Sequence, residues 1–182
     1  MDLEEKLIRK KVVYQGKYIR AEERVVRLPD GTEATREIIS PPDAVGILPI
    51  DPDERVYLVR QYRPAIGRVT IEIPAGILEP DEAPIDTARR ECEEEIGMKP
   101  GRLDFLFSYY HSVGFSTGKI DIFLGRDLSP NPHARPDSGE FIERVILPFD
   151  EIYRQGLSGT IIDSKTLLAL FWYQQLRAEQ AK

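Results

Sequence analysis

The first forty residues carry apolar positions in short runs separated by charges. Val12, Val13, Tyr18, Val25, Val26 and Ile38 are the apolar points of this stretch, and it is broken at Gln15-Gly16 and at Pro29-Asp30-Gly31. The pattern predicts strands joined by turns. Pro41-Pro42 closes it, which predicts a β-rich arm or subdomain over residues 1–42 and a larger domain over 43–182. In the larger part, AVGILPI and VYLVRQYR flank Asp51–Glu54 and predict a hairpin. VTIEIPAG predicts a strand with Val69, Ile71 and Ile73 on its apolar face and Thr70 and Glu72 on the other. RLDFLFSYYHS, KIDIFLG and FIERVILPF predict further strands, and residues 127–140, with three prolines and a glycine, predict a loop.

Helical spacing appears in three places. Ile85, Ala88, Cys92 and Ile96 recur at three or four residues and predict a helix with that stripe buried. Pro84 suits its first turn and Gly97 its end. DEIYRQGL reads as a short helix. The last helix is expected to start at Asp163 or Ser164, with Leu167, Leu168, Phe171 and Trp172 as an apolar stripe and Leu176 near its end. Strands interrupted by substantial helices predict an α/β fold with a mixed sheet covered by helices.

Charge narrows the function. The 182 residues carry a net charge of −6 and no basic run interleaved with aromatics. This excludes a nucleic acid partner and leaves room for a small anionic ligand. A single cysteine, Cys92, excludes a disulfide framework and a multi-cysteine zinc site. No apolar run is long enough to span a membrane, and MDLEEKLIRKK is too polar for a signal peptide; the expectation is a cytoplasmic protein.

The stretch GILEPDEAPIDTARRECEEEIG, residues 76–97, concentrates carboxylates on one helix. Glu91 and Glu95 are four apart, so their side chains lie one above the other. Arg90 stands four residues before Glu94 and can hold it, but no cation before the helix end at Gly97 has that spacing to Glu91 or Glu95. A divalent cation would turn their repulsion into attraction, and hard oxygen ligands suit magnesium or manganese. The alternative is a solvated acidic face. EIPAG favours the metal: Gly76 lets a backbone carbonyl approach a ligand, and Glu79, Asp81 and Glu82 lie on the following loop, Ile77 to Ala83.

These residues resemble the Nudix box: Gly76, five residues, Glu82, seven residues, Arg90-Glu91, Cys92, any residue, Glu94-Glu95, any residue, Gly97, and the apolar Met98. The resemblance implies an α/β/α sandwich with a mixed sheet and a hydrolase of nucleoside diphosphates linked to another moiety. It implies that Glu91 and Glu95 are the main metal ligands, that Glu94 helps hold metal or its waters, and that the Ala75 carbonyl completes a position. Arg90 would orient the glutamates, and Glu82 would contact metal-bound water or brace the loop. Two or three magnesium or manganese ions per site are implied.

RQYRP, EIPAG, IIDSKTLLAL and the β-rich extension resemble the ADP-ribose pyrophosphatase branch. That branch implies a homodimer in which the N-terminal region is exchanged, and ADP-ribose cleaved to AMP and ribose 5-phosphate. The branch usually has Ser-Pro-Gly-Phe and then an acidic residue, whereas this chain has Ser112-Val113-Gly114-Phe115 and then Ser116-Thr117-Gly118. GDP-mannose, ADP-glucose and other nucleotide sugars therefore stay open as substrates. The resemblance places a general base on a loop after the box, where Glu140 matches best and Glu143 and Asp137 compete. Arg60 and Arg63 are candidates for phosphate contact, with Arg63 favoured, and Gly114 and Phe115 are candidates for substrate contact. His111 fits a structural or substrate-edge role; Tyr18, Tyr109 and Tyr110 fit either base stacking or core filling. A non-catalytic nucleotide-binding regulator on the same scaffold would be expected to lose one of the box glutamates. A calcium-stabilised acidic domain would need a calcium loop that the sequence lacks.

Overall fold

Two tight turns set the register of the N-terminal sheet. The Gly16 N–H donates to the Ile19 carbonyl and the Gly31 N–H to that of Leu28, both at 2.9 Å, and Gly31 has φ +89°, a region that favours glycine. The strands they join are β1 (Lys6–Gln15), β2 (Arg20–Arg27) and β3 (Glu33–Ser40), which form an antiparallel sheet in that order. The structure is a computed structural model and describes residues 2–135 and 139–180. Every residue of β1 is exposed, Leu7, Ile8, Val12, Val13 and Tyr14 included, whereas β2 buries Glu22, Val25 and Val26. Glu22 is held there by Arg20 and Arg24.

This sheet is part of a unit that contains the residues up to Asp43 together with Tyr109–Lys119. The link is made through β3. Ile39 N–H donates to the Phe115 carbonyl at 2.7 Å, and Thr117 N–H to the Ile39 carbonyl at 3.0 Å. His111 lies in this unit, its Nε2 3.4 Å from Ser116 Oγ.

The second unit holds Ala44–Ser108 and the residues from Ile120 on. One of its sheets has the order β7 (Ala75–Ile77), β4 (Ala44–Pro49), β9 (Lys119–Pro130), β8 (Met98–Tyr110), with β4 parallel to β9 and antiparallel to β7. The other has the order β10 (Glu143–Pro148), β5 (Arg55–Arg63), β6 (Arg68–Glu72) and is antiparallel. Helices α1 (Pro84–Ile96), α2 (Phe149–Leu157) and α3 (Ser164–Gln180) complete it. The fold is thus α/β with mixed sheets and an antiparallel N-terminal sheet, as the sequence predicts. No helix among the described residues is long and apolar enough to cross a membrane.

Several expectations need correction. Asp51 does organise a turn, with Oδ1 accepting the N–H groups of Asp53 and Arg55, and Ile50 pairs antiparallel with Val56 across it, but beyond that single bridge β4 and β5 enter different sheets rather than a continued hairpin. β4 is buried along nearly its whole length, as a strand beside a parallel neighbour requires. The region 127–140 is not all loop, because β9 continues to Pro130. On β6 the polar set lies inward: Thr70 and Glu72 are buried and Val69 is half exposed, and of the apolar set only Ile73, just past the strand, is fully buried. On α3 the buried residues are Lys165, Thr166, Ala169, Leu170 and Tyr173, while Leu168, Phe171 and Trp172 are partly exposed. The last two corrections share a cause, a buried ion-pair network described below.

Helix α1 lies against two apolar clusters of this unit. Ala88 packs with Val45, Ile47 and Phe123; Cys92 and Ile96 pack with Val59 and Met98. Burial pushes the Cys92 thiol up to about 12, so it is a core residue and not a nucleophile. Ile85, expected on the inward stripe, is exposed; Thr87, Glu91 and Glu95 take inward positions instead.

Candidate functional site

Helix α1 has regular terminal geometry. It starts with Pro in its first turn, and Gly97 at φ +65° ends it in the left-handed region. Fixed between those ends, the helix directs Glu91 and Glu95 inward. They are 9% and 7% exposed, and both lie toward the strand that carries Ala75 and Gly76.

The contact at Gly76 is the closest. A Cβ added there would stand 1.8 Å from Glu91 Oε1 and 2.0 Å from its Cδ. No side chain fits at this position, so glycine is required for the carboxylate to lie on the strand. Ala75 N–H donates to Glu95 Oε2 at 2.8 Å. Strand β7 and helix α1 are thereby joined through both glutamates.

Arg90 gathers the remaining acids. Its Nε and Nη2 bond the two oxygens of Glu82 at 3.1 and 3.0 Å. Its Nη1 reaches Glu91 Oε1 at 2.7 Å and Glu94 Oε2 at 3.0 Å. The predicted Arg90–Glu94 pair is present, but Glu91 is not without a cation, because Arg90 reaches its sequence neighbour as well. One guanidinium thus serves three carboxylates, a fork that a lysine could not reproduce.

The charges do not balance. Arg90's hydrogen bonds hold Glu82 at about 2. Burial drives Glu91 up to about 7, with Arg90 opposing and Glu94 and Glu140 adding to the rise. Burial also drives Glu95 up to about 8; the Ala75 N–H opposes this, and Glu91 and Glu140 reinforce it. Glu91, Glu95 and Glu140 therefore share one field, and buried carboxylates in mutual repulsion are what a cation stabilises. The donor set of carboxylate oxygens beside a glycine-lined strand fits a hard divalent ion such as magnesium or manganese. Among the described residues, no three His, Cys, Asp or Glu groups converge as a ready-made metal cage; Glu91 turns to Arg90 and Glu95 to the Ala75 N–H.

The other candidates are placed as follows. Arg60 pairs with Glu143 at 2.7 Å, directly across the β5–β10 ladder. Arg63 is bound by Glu72 through two hydrogen bonds of 2.7 and 2.6 Å. Gly114 and Phe115 lie in the first unit, between β8 and β9, and Phe115 is half exposed. Glu140 is exposed, and Asp137 lies outside the described residues. Sequence reasoning missed Glu72, Thr70, Lys165 and Thr166. Only their clustering in space singles them out, since each alone reads as a surface residue.

Residues 40–169 match the NUDIX domain. Over 181 residues the chain is 35% identical to the ADP-ribose pyrophosphatase of Bacillus subtilis, covering 99% of this chain and 98% of that one. It is 34% identical to the methanol dehydrogenase activator of Bacillus methanolicus, over 98% of this chain and 97% of the other. A crystal structure described as an ADP compounds hydrolase superposes with a TM-score of 0.88 at 22% identity, covering 99% and 98% of the two chains. That last likeness concerns the fold.

Proposed function

The chain belongs to the NUDIX family, a pyrophosphatase of nucleoside-diphosphate-linked substrates, and on that premise we propose that it hydrolyses ADP-ribose to AMP and ribose 5-phosphate. The observation that carries the reading is the pair Glu91 and Glu95, buried against Ala75-Gly76 with too little positive charge around them. The similarity to an ADP-ribose pyrophosphatase along nearly the whole chain supports the substrate.

Glu91 and Glu95, with Glu94 and the Ala75 carbonyl, would hold magnesium or manganese, two or three ions per site. Bound there, the metal supplies neutralisation of pyrophosphate oxygens and a more acidic water. Arg90 keeps Glu82, Glu91 and Glu94 in one geometry, so the site forms without reorganisation. Glu140 takes the proton of the attacking water, consistent with its electrostatic reach to both inward glutamates. Arg63 meets a phosphate, since its guanidinium carries charge that a phosphoryl oxygen can share with Glu72. Arg60 contributes a substrate contact. The chain acts as a homodimer, for which the exposed apolar side chains of β1 supply material.

One observation favours a second substrate. Gly118 stands where the branch usually has an acid. A Cβ there would lie 2.4 Å from His111 Nε2 and 2.7 Å from Pro41 Cγ, so no acid fits beside His111 as it stands. Hydrolysis of another nucleotide sugar, such as ADP-glucose or GDP-mannose, is the corresponding reading. Product release from ADP-ribose, ADP-glucose and GDP-mannose, with magnesium and with EDTA, separates the two. Metal-dependent AMP release dominating by kcat/KM from ADP-ribose supports the first reading; dominant turnover of a nucleotide sugar supports the second, and activity untouched by EDTA overturns the metal assignment.

A further inference from the structure

Outside the box, the described residues of the second unit hold a second cluster of buried charge. Glu72, 2% exposed, accepts hydrogen bonds from Arg63, from Thr70 Oγ1 at 2.6 Å and from Lys165 Nζ. Lys165 is 7% exposed and also pairs with Asp163 Oδ1 at 3.1 Å. Thr166 is fully buried; its Oγ1 donates to Asp163 Oδ2 at 2.6 Å and accepts the Ile73 N–H at 2.9 Å. The first turn of α3 thus grips residues 70–73 through a side-chain ion pair and a backbone hydrogen bond.

That grip ends two residues before Ala75. Between them, the Pro74 carbonyl accepts the Ile47 N–H at 2.9 Å, and Ala75 N–H then goes to Glu95. Residues 73 to 75 are held in turn by α3, β4 and α1. A shift at the α3 end is transmitted along a chain segment with few free torsions, because Pro74 fixes its own φ. Lys165 also acts through space, since its charge favours the ionised form of Glu95.

We propose that Lys165 is a positioning residue for the Glu91–Glu95 site: with Thr166 it fixes Ile73 and Glu72, and so sets where Ala75 presents its backbone to Glu95 and to a bound divalent cation. The proposal rests on the hydrolase reading above. It separates two effects of opposite sign. Removing a positive charge near carboxylates, by itself, tightens cation binding. Loosening the strand that presents Ala75 weakens it, and the positioning role requires the second effect to win.

The test replaces Lys165→Met, which keeps length and removes charge, and in parallel Thr166→Val, which removes the acceptor of the Ile73 N–H at nearly constant volume. Manganese binding is measured directly by electron paramagnetic resonance, hydrogen exchange is followed at the Ala75 amide, and kcat and KM are determined with wild type in the same series. Expected for Lys165→Met are about 10-fold weaker manganese binding and about 10-fold lower kcat, faster exchange at Ala75, and little change in KM. Thr166→Val should move the same quantities in the same direction by less, and it decides the matter if Lys165→Met does not fold. Lower thermal stability with unchanged or tighter manganese binding and unchanged Ala75 exchange overturns the proposal. Wild type inactive on every nucleotide substrate overturns the hydrolase reading instead, while the binding and exchange results still judge Lys165.

Discussion

Glu72 and Glu95 are both buried glutamates of the second unit, and both are tied to the segment Ile73–Ala75 or its immediate start, yet their electrostatics are opposite. Burial opposes ionisation of each. At Glu72 the bonds from Arg63, Lys165 and Thr70 outweigh it and hold the carboxyl at about 2. At Glu95 the Ala75 N–H does not, and the carboxyl stands at about 8. The first acid is provided with cations by the chain itself; the second is provided with other acids. A buried carboxylate whose partners are built in serves structure, and one whose partners are withheld is reserved for something that arrives from outside.

The contrast can be broken at its paired side first. Glu72→Gln leaves Lys165 and Arg63 without their anion. Loss of one partner from a buried pair costs about 3 kcal/mol, the lower end being appropriate because Arg63 is partly exposed; urea unfolding at neutral pH reads it. The same variant tests the sign in pH. A glutamate lowered from 4.5 to about 2 in the folded state contributes stability that is present above the unfolded value and lost as pH falls from there toward 2. The acid limb of stability against pH should flatten in Glu72→Gln.

At the underpaired side, Glu95→Gln should keep the fold and lower metal-dependent hydrolysis by about 100-fold or more, since even the outer partners of metal ligands are worth 10–100-fold. Retained full turnover with intact helix content would sink the ligand assignment. Magnesium should raise the stability of the wild type by roughly 2.7 kcal/mol at a hundred times its dissociation constant, seen as a shift in Tm, and should do so far less for Glu95→Gln. The smallest expected effect is that of Arg90→Lys. It keeps a charge but loses the fork shared by Glu82, Glu91 and Glu94, and about a tenfold fall in kcat/KM with little change in Tm distinguishes organisation of the acids from simple neutralisation.

The underpaired side was legible in the sequence because it lies on one helix, where spacing converts directly into neighbourhood. Glu91, Glu94, Glu95 and Arg90 could be grouped before any fold was known. The paired side was not legible, because its members come from β5, β6 and α3 and meet only in space. Alternation along β6 correctly separates Thr70 and Glu72 from Val69 and Ile71, but it does not say which set faces inward when the inward place is polar. The same blindness misdirected α3: its large apolar residues suggested one face, whereas Lys165 and Thr166 fix the rotation that buries Ala169, Leu170 and Tyr173. The separation of β4 from β5 escaped for a related reason. The turn at Asp51 is local, while the parallel partner β9 is far along the chain.

The first unit holds a consequence for synthesis. Its N-terminal sheet borrows hydrogen-bonding partners for Ile39 from Phe115 and Thr117, so the unit is not a continuous fragment. On the ribosome the strands up to Ser40 emerge early and wait until the turn after β8 has been made. A nascent chain halted before Phe115 lacks the backbone partners of Ile39, and chaperone occupancy should be greatest in that interval.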